Sequence, residues 1–423
     1  MEIINMNENE YRKFTSDNKE LHFLQSYEWG EVSKERGLKP FYIGLKIKNK
    51  IVCSALLLQK KLILGYSYFY IPRGYNIDYK DKALVKTFTI ELKKWCKKNK
   101  GIFFKIDPDI KLHTIDSNAN KIDGEDNYEF VDFLKKIGFK RKKLTKYFET
   151  MQPRFTFRIP LNLPIEEIEN RYSQTNIQRI KKAEKNGIIV EKGNKKDLKE
   201  FIRLMKMTEK RQNFYSHTES FYNTFYDVFS ENNHVTLYLG KIDLDKTRKE
   251  LKEKKEILSN ELNNIQNIDS KKANSRKKEI NKELEAIENN LKTYSNKKGT
   301  IVVSSYLTVN YGNKSWALYA ANDMDYKGLF ANYLVYKNQI RDAKKNEKEI
   351  FDVFGTIGDP NSKSNLVGLH DFKKKWGGEY IEFIGEFDFI TNHFMYFIYN
   401  TLIPIRHKII RKILRNKAKK TKI

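Results

Sequence analysis

Residues 368–389 read GLHDFKKKWGGEYIEFIGEFDF: three lysines and a tryptophan run into a Gly-Gly pair, and a strand-like alternation follows. Charge runs usually face water, so composition alone makes FKKKWGG a solvated basic loop. Position changes that reading. Gly377-Gly378 allow a turn, and EYIEFIGEFDF returns the chain to a sheet. The stretch becomes the hinge between the last helix and the closing strands of an α/β unit.

Upstream of the hinge lie the strand "IFDVFGTIG" and the helix "LFANYLVYKNQIRDAKKNE", and before them the strands of "GTIVVSSYLTVNYGNKSWALYAAND". Residues 151–242 open this unit. The spacing predicts one amphipathic helix over "IEEIENRYSQTNIQRIKKAEKNG", stopped by Gly187, then the strand "IIVEKG", two more helices and the strand "HVTLYLGKI". Residues 1–150 show the same mixture. "GLKPFYIGLKI" and "IVCSALLLQKK" form a hairpin turning at KIKNK. "SYFYIPRGYNID" is a strand ending at Pro72, "KALVKTFTIELKKWCKKNK" is a helix, and "GIFFKIDPDI" is an apolar strand closed by Asp107-Pro108. The chain reads as two similar α/β (α+β) units in tandem.

Residues 243–298 interrupt the second unit and contain no proline, glycine or tryptophan. Leu244, Leu251, Leu258 and Ile265 fall seven apart; Ile280, Leu284, Ile287, Leu291 and Tyr294 follow 4-3-4-3 spacing. This predicts an antiparallel coiled-coil hairpin at the tip of a strand pair, with the second unit resuming over 299–390. A tail, 391–423, follows. Its aromatic-aliphatic start is too short to span a bilayer, and from Pro404 onward it has nine lysines and arginines and no acid. That combination predicts an interfacial basic helix at an anionic membrane surface, or a C-terminal helix packed on the first unit.

The 423 residues carry a net charge of +27, which favours polyanionic partners: nucleic acid, anionic lipid or phosphorylated substrates. Two cysteines make no disulfide framework, and seven histidines show no ligand spacing, so no metal is expected. The start "MEIINMNENEYRKF" has no apolar signal core, and no run is long and apolar enough to span a membrane, so a cytoplasmic protein is expected.

Four segments resemble the FemABX peptidyltransferases: "MQPRFTFRIPL", "NIQRIKKAEKNGIIVE", "WALYAANDMDYKGLFANYLVYKNQIRDAKKN" and, most clearly, "FDVFGTIGDPNSKSNLVGLHDFKKKWGGEYIEFIGEFDF". Their order and spacing carry the resemblance over nearly the whole chain. It implies two tandem acetyltransferase-like (GNAT-like) domains. It also implies transfer of glycine, alanine or serine from aminoacyl-tRNA to an amine of a peptidoglycan precursor, at the inner face of the plasma membrane. Members with the coiled coil resemble those acting on lipid II. A pyrophosphate-binding turn is missing from "DYKGLFANYLVY", which has the single glycine Gly328, so coenzyme A is not expected and no cofactor is implied.

The same resemblance puts Phe372 and Lys373 near the transferring end of tRNA, with Lys374 and Lys375 outside, drawn to phosphates. Asp107 either caps its Asp-Pro turn or receives the amine proton. Arg73, in "IPRG", suits a phosphate or carboxylate; the family pattern has Gly-Pro after this arginine, whereas here it is Gly74-Tyr75. Arg211 and Tyr222, in "TEKRQNFYSHTESFY", and Tyr319 and Asn322, in "LYAAND", become substrate-binding candidates, with sheet core as the alternative for Tyr319. Two other functions stay open: a scaffold binding tRNA and membrane without turnover, and an aminoacyl-tRNA–protein transferase. Association with itself or with related transferases is also open.

Overall fold

The structure is a computed structural model. It describes residues 1–402 apart from 17, 148, 213–215 and 296. The basic stretch 403–423, on which the expected membrane tail largely rests, lies outside the described residues.

The architecture is mixed α/β with two sheets. The seven-stranded sheet runs, in order, Glu2–Asn5, Lys39–Ile47, Lys50–Lys61, Ser67–Ile71, Gly101–Ile106, Phe387–Ile390, Phe139–Arg141. The nine-stranded sheet runs Ile189–Gly193, Val235–Asp243, Thr300–Tyr311, Lys314–Asn322, Ile350–Asp352, Phe155–Pro160, Glu379–Phe383, Lys111–Ile115, Lys121–Asp126. Each sheet contains one parallel pair: Ser67–Ile71 with Gly101–Ile106, and Lys314–Asn322 with Ile350–Asp352. The other pairings are antiparallel, some through short hairpins (39–61) and others between strands distant in sequence, such as Phe387–Ile390 with Gly101–Ile106.

The sheets do not divide the chain at one point. Residues 111–126 leave the first half and extend the second sheet, while Phe387–Ile390 inserts beside Gly101–Ile106 in the first. EYIEFIGEFDF was expected to be one run returning to one sheet. Instead it is two strands in two sheets, separated at Gly385, whose φ of +87° turns the chain between them. The hinge before it differs too: helix Val367–Lys374 continues through Phe372 and Lys373, and the turn begins only after it.

The predicted helix over 165–187 is also broken, into Ile165–Asn170 and Gln174–Lys185. Ser173 starts the second piece, its Oγ accepting from the Asn176 N–H, and its own N–H is held by the Lys375 carbonyl. Residues 111–126 have too little apolar alternation to announce themselves, and the strand Lys121–Asp126 is exposed throughout.

Helices Leu244–Ile265 and Lys271–Tyr294 lie side by side through Leu258, Ile280 and Ile287, all buried. Ion pairs Lys254–Glu283 and Arg276–Glu261 cross between them in antiparallel register. Both helices spring from the strand pair Val235–Asp243 and Thr300–Tyr311.

One apolar core belongs to both halves. Phe23, Trp29, Leu56 and Tyr70 pack in it with Phe201, Phe225, Leu307 and Trp316. It sets the first sheet against the second and so positions the groups between them.

Candidate functional site

The parallel pair Ser67–Ile71 and Gly101–Ile106 delivers two carboxyl ends to one place, and Arg73 and Asp107 sit there. Asp107 is buried. Its carboxylate accepts from the Arg73 N–H at 2.7 Å and from the Tyr70 hydroxyl at 3.0 and 3.1 Å. Arg73 reaches this position with φ +57°, followed by Gly74 at +83°. A side chain on Gly74 would meet the Tyr79 hydroxyl and the Pro108 backbone, so only glycine permits the approach. The Arg73 guanidinium lies 4.5 Å over the Phe383 ring and donates to the Pro153 carbonyl at 2.9 Å; its buried Nε finds no partner among the described residues. Burial pushes the Asp107 carboxyl up to about 7, outweighing the charge of Arg73 and the hydrogen bonds.

Two residues on, Asp109 is neutralised. Arg158 donates to it at 2.5 Å and Lys314 lies at 3.3 Å. These cations hold its carboxyl well below the ordinary range despite burial. Arg158 also pairs with Asp352, its cross-strand neighbour, at 2.9 Å. Asp109 and Arg158 line a groove of about 890 Å³ together with Lys111, Glu125, Glu379 and Ile381. Arg73, Asp109 and Lys314 line a smaller cavity of about 150 Å³.

Asp352 links this network to Lys373. It accepts from the Phe354 N–H at 2.8 Å, and Phe354 takes a left-handed φ of +55°. The turn offers the Phe354 and Gly355 carbonyls to Lys373, whose Nζ donates to both, to Gly355 at 2.7 Å. Burial lowers the ammonium to about 7; the charge of Asp352 opposes this only in part. Phe372, the residue before it, packs edge-on against Tyr333, Tyr336 and Trp376. It anchors the helix that presents Lys373. Lys374 is exposed, and the Lys375 carbonyl is engaged by Ser173 and Asn176.

Tyr222 and Tyr319 meet edge-on at 5.5 Å, with His217 against both. Burial lowers the His217 imidazole to about 4, and the charge of Arg36 adds to the effect. Asn322 accepts from the Ser304 hydroxyl at 2.7 Å. Arg211 ends helix Leu198–Gln212, exposed and without an ion pair among the described residues. The structure thus joins Arg73 to Asp107, Phe372 to the support of Lys373, and Tyr222 to Tyr319. Arg211 and Asn322 stand apart from these groups.

Asp352, Arg158, Asp109 and Tyr70 escaped sequence reasoning. A signal existed for Arg158: a guanidinium inside the alternating strand FTFRIP needs a buried partner. Among the described residues, no group of three His, Cys, Asp or Glu side chains gathers as metal ligands would. No described helix is long and apolar enough to cross a membrane.

The chain is a two-sheet α/β scaffold with a buried carboxyl at Asp107 and a part-buried amine at Lys373, and its likeness to known proteins gives the family. The FemAB family model matches residues 6–403, so the chain belongs to the FemAB family. It is 30% identical to a lipid II:glycine glycyltransferase of Staphylococcus haemolyticus, over 98% of this chain and 99% of that protein. It is 28% identical to the enzyme of the same name from Staphylococcus aureus (strain MRSA252), over 98% and 100%. Among solved structures, the crystal structure of FemX matches with a TM-score of 0.73 and 27% identity, covering 94% of this chain and 99% of that one.

Proposed function

We propose that the protein is an aminoacyltransferase that moves glycine from aminoacyl-tRNA to the stem-peptide amine of lipid II, in building the peptidoglycan interpeptide bridge. The likeness over the whole length to relatives named lipid II:glycine glycyltransferase carries this reading. The desolvated amine and carboxyl of Lys373 and Asp107 supply chemistry that suits it.

An aminoacyl ester is already activated, so catalysis needs placement and charge more than a strong nucleophile. The acceptor amine attacks the ester carbonyl. A C–N bond forms, the C–O bond to the ribose breaks, the amine gives up a proton and the ribose oxygen gains one. Asp107 receives the amine proton, its raised value matching that task near neutrality. Lys373, as ammonium, has three N–H donors. Two are spent on the Phe354 and Gly355 carbonyls, and the third serves the developing oxyanion.

Arg73 holds a precursor phosphate or carboxylate. Tyr222, Tyr319 and Asn322 contribute to substrate binding from the second half, and Arg211 and Lys374 attract phosphates. The helix pair 244–294 acts as a coiled-coil arm for tRNA, and the basic C-terminal residues hold the enzyme at the inner face of the plasma membrane.

Incubation with lipid II and a mixture of charged tRNAs, followed by mass spectrometry, tests the proposal. One added glycyl residue on lipid II is expected. An alanyl or seryl increment corrects the donor. Aminoacylated protein in place of lipid II, or binding without turnover, overturns the reading.

A further inference from the structure

Two segments far apart in sequence place large apolar side chains together at the surface. In the loop after strand Lys50–Lys61, Ile63 is 59% exposed and Leu64 79%. In helix His393–Phe397 and the turn after it, Phe394 is 72% exposed, Phe397 52% and Leu402 46%. The segments meet over one small core: Leu62 and Tyr66, on either side of the loop tip, pack with Ile398 and Tyr399 against Phe103, Met395 and Tyr396. Met395 and Tyr396 face inward, which turns Phe394 and Phe397, three residues apart, outward on one face. Leu64 also holds φ +57°, a conformation that a bulky residue avoids, with no burial to offset it. No contact among the described residues accounts for that choice.

We propose that this face docks on an anionic phospholipid bilayer, with Ile63, Leu64, Phe394, Phe397 and Leu402 entering the headgroup–acyl boundary. Charge selects a bilayer over a protein partner. Exposed Lys60 and Lys61 flank the loop, and the sequence beyond Leu402 brings nine basic residues and no acid. An apolar patch with lysines beside it and a basic sequence following it is the pattern that binds anionic lipid.

The fold gives the docking a purpose. Tyr68, on strand Ser67–Ile71, stacks on Phe103 at 5.1 Å and touches Tyr399 at 5.7 Å, beneath the patch. Tyr70, two residues on and on the same face of the sheet, holds Asp107. That advance is about 7 Å along a strand. A buried polar chain runs in parallel: the Tyr396 hydroxyl donates to Asp388, and Lys105 pairs with Asp388 and Glu386 at 2.8 and 2.7 Å. The bilayer-facing patch and the Asp107 corner therefore share one sheet face, and an acceptor carried on lipid meets the corner without leaving its membrane. This deepens the transferase reading, on which the lipid-borne acceptor rests.

The test uses the full chain and cosedimentation with phosphatidylglycerol-containing or pure phosphatidylcholine vesicles. The parent should favour the anionic vesicles. Ile63→Ser/Leu64→Ser and Phe394→Ser should each weaken partition about tenfold or more, with unchanged melting temperature because the side chains are exposed. Unchanged partition in both variants overturns the proposal. So does a parent that sediments as a dimer and becomes monomeric in the variants without losing vesicle binding, since the face then serves a second copy. Transfer to lipid II separates the two ideas. The docking proposal predicts that the variants lose transfer in vesicles and keep it in detergent micelles. A parent inactive in both media overturns the transferase reading, while the docking face is still judged by sedimentation.

Discussion

Asp107 and Asp109 flank one proline, Asp107 buried and Asp109 largely so, and end in opposite states. Asp109 meets Arg158 and Lys314, and its carboxyl lies well below the ordinary range. Asp107 meets a backbone N–H, a tyrosine hydroxyl and the charge of the Arg73 guanidinium, which lies over Phe383, and burial still lifts its carboxyl to about 7. Lys373 resembles Asp107: a charge taken out of water and given carbonyls in place of a carboxylate. Neutralised charges are matched within the fold, whereas under-compensated ones are kept at a cost the fold alone does not explain.

Substitutions can break this contrast. The largest expected effect is on turnover: Lys373→Met should lower kcat about 10²- to 10³-fold, the range for loss of one oxyanion donor, while raising the melting temperature. Single-turnover transfer and calorimetry read the two changes. Asp109→Ala should instead lower stability, by up to about 3–5 kcal/mol, because Lys314 loses its carboxylate and Arg158 keeps only Asp352, as urea unfolding would measure.

Asp107→Asn keeps acceptors for Tyr70 and Arg73 yet cannot take a proton, so transfer should fall about 10²-fold. Its stabilising gain has a definite pH sense. The folded carboxyl is raised, so the cost of ionising it is absent below the unfolded value of about 4 and complete above about 7. The melting temperature of Asp107→Asn should therefore exceed the parent's at pH 8 and match it at pH 4. The rate profile sharpens the assignment. Asp107 must be ionised and Lys373 charged, both with values of about 7, so kcat/KM should form a narrow bell centred near pH 7. A plateau from pH 6 to 9 would sink both roles. At the small end, Arg276→Ala removes exposed pairs with Glu261 and Glu279 and should leave the melting temperature unchanged within error.

Much of this was legible in the sequence because it rests on local patterns. Period-two runs announced the hairpin over 39–61; the helix before strand Gly101–Ile106 ends ahead of Gly101 as expected, but its cap is Asn99, with Lys100 in the left-handed region. Asp107, Arg73 and Lys373 came forward as candidates through the resemblance to the FemABX family, not through residue pattern alone. The rest depends on contacts between distant segments. That Phe372 braces a helix follows from Tyr333, Tyr336 and Trp376 converging on it, and Asp352 gains meaning only beside Arg158 and the Phe354 turn. The division of EYIEFIGEFDF between two sheets was hidden because both halves alternate alike; only Gly385 marks the change.

The placement of Phe387–Ile390 has a consequence for how the protein is made. It fills the slot between Gly101–Ile106 and Phe139–Arg141 in the first sheet, and Lys105 waits for Glu386 and Asp388 to cover its charge. On the ribosome, the amino-terminal sheet therefore emerges early with a vacant strand position and an unpaired buried lysine, and stays incomplete until nearly the whole chain has been synthesised. Closure over so long a loop is slow, which makes the nascent first half a natural client for chaperones during translation.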